Sequence, residues 1–170
     1  MPKGLKQTSS TVAIGFRATE SAANTYTQTA IDLNLSPLDR EVFVVLAVNL
    51  DGSSPDALAG VNTEVVGQVT TTSQSGIVDL DDSNLLARRT QKIRAAGFVD
   101  GGVAFQEQAL ESPPSTLEYI GIIATNDFFL GVEGTNNGSA KTVTGKLYGY
   151  RAVANADIYA ALVQSEVLSS

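Results

Sequence analysis

Seven apolar residues in a row, VFVVLAV at 42–48, sit between Glu41 and a cluster of turn signals, Asp51-Gly52 and Ser53-Ser54-Pro55-Asp56. A half-exposed strand would alternate apolar with polar, and a surface helix would show a stripe at 3.6-residue spacing. This run does neither. It reads as a central strand covered on both faces, with Val42, Val44, Leu46 and Val48 on one of them. One face belongs to a core. The other needs a loop, a helix of the same chain, or a neighbouring subunit to cover it.

Further strand signals recur at short intervals, separated by turn chemistry. They fall at 10–20, 25–34 (closed by Ser36-Pro37), 41–50, 62–72, 90–99, 103–111, 117–134 and 141–153. Alternation is clearest in the last, where Val143, Gly145, Leu147 and Gly149 face one way and Thr144, Lys146, Tyr148 and Tyr150 the other. Only the tail predicts a helix. Asn155 can cap it, Asp157 suits its positive end, and Ile158, Leu162 and Ser165 share a face. Eight strands and one short helix in 170 residues predict a single all-β domain, an antiparallel sandwich or barrel.

Composition narrows the chemistry. The chain has no Cys and no His, which excludes Ser-His-Asp and Cys-His catalysis and every His- or Cys-ligated metal site. Charged residues are only 17%, below the roughly 25% of ordinary soluble domains, so uncharged polar groups or other protein must cover much of the surface. The net charge of −7 argues against wholesale electrostatic capture of nucleic acid. No apolar run approaches the length of a membrane-spanning helix. The glycines form no phosphate-cradling loop, and no cofactor is expected.

Three smaller features invite a functional reading. The acidic connector Asp79-Leu80-Asp81-Asp82-Ser83-Asn84 offers oxygen ligands, but lacks the glycine and terminal glutamate of a calcium loop and reads as a solvated loop. Asn34-Leu35-Ser36 and Asn137-Gly138-Ser139 match a glycosylation acceptor, and turn formation explains both. The cations are unevenly placed: Lys3 and Lys6 precede any acid, while Arg88, Arg89, Lys92 and Arg94 crowd one strand. Solvated strand ends paired to carboxylates account for them. As a functional patch, these six would make only a weak, salt-dependent contact with nucleic acid.

The strand count, the chain length, the short polar arm MPKGLKQTSS at 1–10, the apolar strand at 42–48 and the terminal strand-plus-tail at 141–170 together resemble the small single jelly-roll capsid proteins of icosahedral viruses. The resemblance covers the whole chain in outline and rests on no single motif. It implies one jelly-roll domain over 1–170, an eight-stranded antiparallel sandwich with a flexible arm at 1–9 and a helical tail at 155–170. It also implies self-assembly in many copies within a virion capsid, with other shell proteins as partners. Capsid arms are often strongly basic, and this one has two lysines, so another component would neutralise the genome. The alternative is a surface or secreted sandwich that binds sugar or protein through its loops. An enzyme working with carboxylates alone is the third reading.

Overall fold

The computed structural model describes residues 2–97, 105–109 and 116–169; for 105, 107–109 and 169 it describes the backbone alone. The parts of the predicted strands at 90–99 and 103–111 that fall on 98–104 and 110–111 lie outside these residues.

Ten strands and one helix follow one another along the described chain: β1 (Leu5–Gln7), β2 (Val12–Thr19), β3 (Thr27–Asp32), β4 (Glu41–Gly52), β5 (Thr63–Thr70), β6 (Leu85–Arg94), β7 (Phe105–Ala109), β8 (Gly121–Ile123), β9 (Asp127–Thr135), β10 (Thr142–Ala154) and α1 (Ala156–Ser169). They form two five-stranded antiparallel sheets. The first runs β1-β10-β4-β8, with β2 also on β10; the second runs β3-β9-β5-β6-β7.

The two sheets and the C-terminal helix agree with the expected antiparallel sandwich, but the strand count of eight does not. The run at 117–134 divides into β8 and β9, which belong to different sheets, with Ala124–Asn126 making the turn between them. Leu5–Gln7 of the expected flexible arm pairs with Ala154–Ala152. The reason is geometric. β10 runs past the end of β2, leaving an open ladder, and Leu5 packs with the apolar groups on that face.

The main core fills the space between the sheets. Phe43 and Val45 of β4, Val65 and Val69 of β5, Phe128, Leu130 and Val132 of β9, and Val143 and Leu147 of β10 meet there. Phe16 meets Phe128 edge-on, with ring centroids 5.5 Å apart.

A second cluster lies on the outside of the first sheet. Val42 and Val44 of β4 and Tyr150, Ala152 and Ala154 of β10 pack under Ile158, Tyr159, Leu162 and Val163 of α1. The outer face of the apolar run is therefore covered by the chain's own helix. Its start is capped by Asn155 Oδ1, which accepts from the Ile158 N–H at 2.8 Å.

Val48 is not on the expected face. The β4–β10 register slips between Tyr148 and Gly149, so Tyr148 pairs with Ala47, Gly149 with Val45, and Leu46 is the extra residue. A bulge of this kind reverses side-chain parity beyond it. Val42, Val44 and Leu46 face the helix, whereas Val48 and Leu50 join Phe43 and Val45 against the central core.

Candidate functional site

The ends and the sides of the sandwich are the surfaces open to function. At one end the connectors β2–β3, β4–β5 and β9–β10 are joined by a polar network. The Glu20 carboxylate is buried and accepts three main-chain N–H groups, from Thr25 (2.8 Å), Gly134 (2.9 Å) and Lys141 (2.9 Å). Asn24 and Asn137 exchange two hydrogen bonds, and Asn137 reaches on to Glu64 O and the Asp56 N–H. Asp56 accepts from Lys141 Nζ and the Gly138 N–H, both at 2.6 Å. The Lys141 bond, followed by the Gly138 N–H, holds the Asp56 carboxyl below the usual carboxylate range. These bonds link the three connectors to one another and to Gly134 of β9 and Glu64 of β5, and so brace this end of the sandwich. Asn137 is buried within it, which accounts for the turn reading of its Asn-Gly-Ser triplet.

On the second sheet's outer face, the β5–β6 connector folds back over the strands. Gln68 is fully buried; its amide donates to Gly76 O (3.0 Å) and the Tyr26 hydroxyl (3.1 Å), and its Oε1 accepts from the Val78 N–H (2.8 Å). Gln28 ties Ser73 and Gln74 to the same face. Burial pushes the Tyr26 hydroxyl above its ordinary value. Both sheets thus carry covers from their own chain, α1 on one and 71–84 on the other.

The six sequence-flagged cations do not form one patch. Lys6 is on β1 and Lys3 just before it, in the first sheet, whereas Arg88, Arg89, Lys92 and Arg94 are on β6 in the second. Arg88 donates to Asp79 at 2.8 Å and to Val78 O, and Arg89 to Asp51 at 2.9 Å and to Leu50 O. Asp79, from the acidic connector, thus anchors β6, while Asp82 accepts the Asn84 N–H in a local turn. A narrow cleft lined by Gly52, Val65, Gly67, Arg89, Gln91 and Val143 has space for about one water molecule.

Sequence reasoning missed Glu20, Gln68, Lys141 and Glu166, buried polar side chains that join separate segments, Glu166 by accepting, from the helix, the Ala124 and Thr125 N–H groups. Their partners lie far away in sequence, and a lone polar residue gives no local sign of burial. In comparisons with known proteins, no family model and no curated protein matches this chain.

Proposed function

We propose that the protein is a self-assembling structural subunit of a viral capsid shell, built on a jelly roll. The observation that carries this reading is the nesting of strand pairs. Setting aside β1 and β7, β5 pairs with β6, β4 with β8, β3 with β9 and β2 with β10. That is one long antiparallel hairpin folded at the β5–β6 connector. The further pairs β4–β10 and β5–β9 roll this hairpin into two sheets, which supports a jelly-roll topology.

The fold alone does not assign a role; the surface adds to the argument. Arg88 and Arg89 of β6 are engaged with the chain's own carboxylates, the buried acids brace connectors, and the sequence lacks the residue types for most catalysis. A rigid block with a low share of charged residues suits repeated contacts through apolar and neutral polar groups. In this reading other shell proteins accompany it, and any contact with nucleic acid through Lys3, Lys6, Lys92 and Arg94 is weak.

Negative-stain microscopy and size-exclusion chromatography of the purified chain test the proposal. Closed particles of uniform diameter are expected, alone or with companion proteins. A monodisperse small species that never assembles and binds a glycan array would replace the shell reading with the loop-binding one.

A further inference from the structure

The first sheet ends on one side in a strand that natural proteins seldom leave open. The Glu20 N–H donates to Lys141 O and the Ser53 N–H to Thr142 O. Antiparallel alternation from there turns the main-chain groups of Ala18, Phe16 and Ile14 toward β10, and those of Thr19, Arg17, Gly15 and Ala13 away from it. Those four residues are exposed, while Ile14, Phe16 and Ala18 pack inward. The β2 edge thus offers four N–H and four C=O groups over eight residues, with no proline, no bulge and one charge, Arg17. Among the described residues the other edges are shorter: three residues each in β1 and β8, five in β7, six in β3. Length, flatness and lack of charge make an open edge a template for strand addition.

We infer that β2 pairs antiparallel with β2 of a second copy across a two-fold axis near Gly15, joining the first sheets of two subunits into one. The occupant follows from charge and register. Copies of a −7 chain repel, and they approach most cheaply where acid is absent: up to Thr19 the chain carries Lys3, Lys6 and Arg17 and no Asp or Glu. Outward-facing groups must meet outward-facing groups, so Ala13, Gly15 and Arg17 can pair only among themselves and Thr19. With Gly15 opposite Gly15 of the second copy, each Arg17 lies across from Ala13. No like charges then face each other, and the axis passes where a side chain would crowd least. Gly15 has open space on its side-chain side: a methyl group there would meet nothing within 4 Å. The contact is isologous, as a two-fold requires.

The pairing rests on the shell reading as its subunit contact, yet it is tested separately. Native mass spectrometry of the dilute full chain should show a dimer. Gly15→Lys and Gly15→Glu should each abolish it, with circular dichroism unchanged, and mixing the two should restore a heterodimer. Ala13→Glu, placed opposite Arg17, should tighten the dimer at least tenfold, and Ala13→Lys should loosen it by a similar factor. A wild-type chain that remains monomeric, or Gly15 and Ala13 variants that dimerise like wild type, would overturn the inference. Particles that form unchanged from these variants would remove the β2 contact and leave the shell standing. Dimers that obey the charge swap without any particle would do the reverse.

Discussion

The Glu166 carboxylate accepts the backbone N–H of Ala124 at 2.8 Å, and its second oxygen accepts that of Thr125 at 3.0 Å. This bond closes a strap. α1 starts beside β1, where Ile158 crowds Gly4, crosses β10 and β4, and ends at the turn after β8. One helix therefore spans β1, β10, β4 and β8 of the first sheet and is pinned at its far end by a buried acid. Glu166→Ala would strand two N–H groups and is expected to cost about 2–4 kcal/mol. A chemical-denaturation midpoint within error of wild type would contradict it.

The same carboxyl has a pH signature. Burial pushes the Glu166 pKa above its ordinary 4.5, against the pull of the Ala124 and Thr125 N–H groups. A folded-state value above the unfolded one means that the folded protein binds the proton more tightly. The stabilisation from this group is complete below about pH 4.5 and is lost as pH rises through the raised value. Asp56 works in the opposite direction, since its pKa is lowered, so the test is a difference. Wild-type stability minus that of Glu166→Gln should fall between acid and neutral pH, measured by urea denaturation across the range. A flat or rising difference would refute the assignment.

The bulge at Leu46 makes neighbouring positions unequal. Val45 is fully buried between the sheets, whereas Leu46 is half-buried beside α1. Val45→Asp should abolish folding, because an unpaired carboxylate in that core costs several kcal/mol. Leu46→Asp should fold with a loosened helix and show earlier proteolysis near α1. Equal loss of soluble protein in both would remove the bulge from the account.

Glycine at 149 answers to the same irregularity. A methyl group there would run into Val44 O and the Phe43 ring, well inside van der Waals contact, and backbone cannot yield as a side chain can. Gly149→Ala should therefore destabilise by about 1–3 kcal/mol or more, while Gly76→Ala, which meets nothing within 4 Å, should be close to neutral. Thermal melts of the two variants check the contrast.

Much of the fold was legible because strand ends coincide with local chemistry. Ser36-Pro37 and Asn136-Asn137-Gly138 mark real connections and Asn155 caps the helix as its position suggests, whereas Asp51-Gly52 still pair with Thr144 and Val143 as the end of β4, whose connector begins at Ser53. What was not legible depends on distant partners. The break in LEYIGIIATNDFFLGVEG at 117–134 carries only the weak turn signal Asn126-Asp127, with neither Gly nor Pro at 124–126; the turn is held by Glu166 and by the Asn126 carbonyl and side chain, which accept the Leu33 and Leu35 N–H groups. The parity reversal at Leu46 is invisible for a similar reason: in a uniformly apolar run no polar residue reports which face is which. The β6 cations were visible as a cluster, but neighbours on a strand point to opposite faces, and Arg88 and Arg89 reach different carboxylates.

Salt separates two ways of holding a shell together. Exposed ion pairs such as Arg88–Asp79, whose acid is 85% exposed, are worth about 0–1 kcal/mol each and fade with ionic strength. Contacts through apolar groups and main-chain hydrogen bonds at an edge such as β2 do not depend on charge. Raising salt also screens the −7 of each subunit and so lowers the repulsion between copies. A shell organised by cations on a genome would loosen as counterions compete. On the proposed shell reading, particles should persist in about 1 M sodium chloride and come apart sooner in urea, which weakens apolar burial and solvates peptide groups. Light scattering across both series decides the matter. Dissociation between about 0.2 and 1 M salt, with the subunit's circular dichroism unchanged, would show that charge holds the assembly.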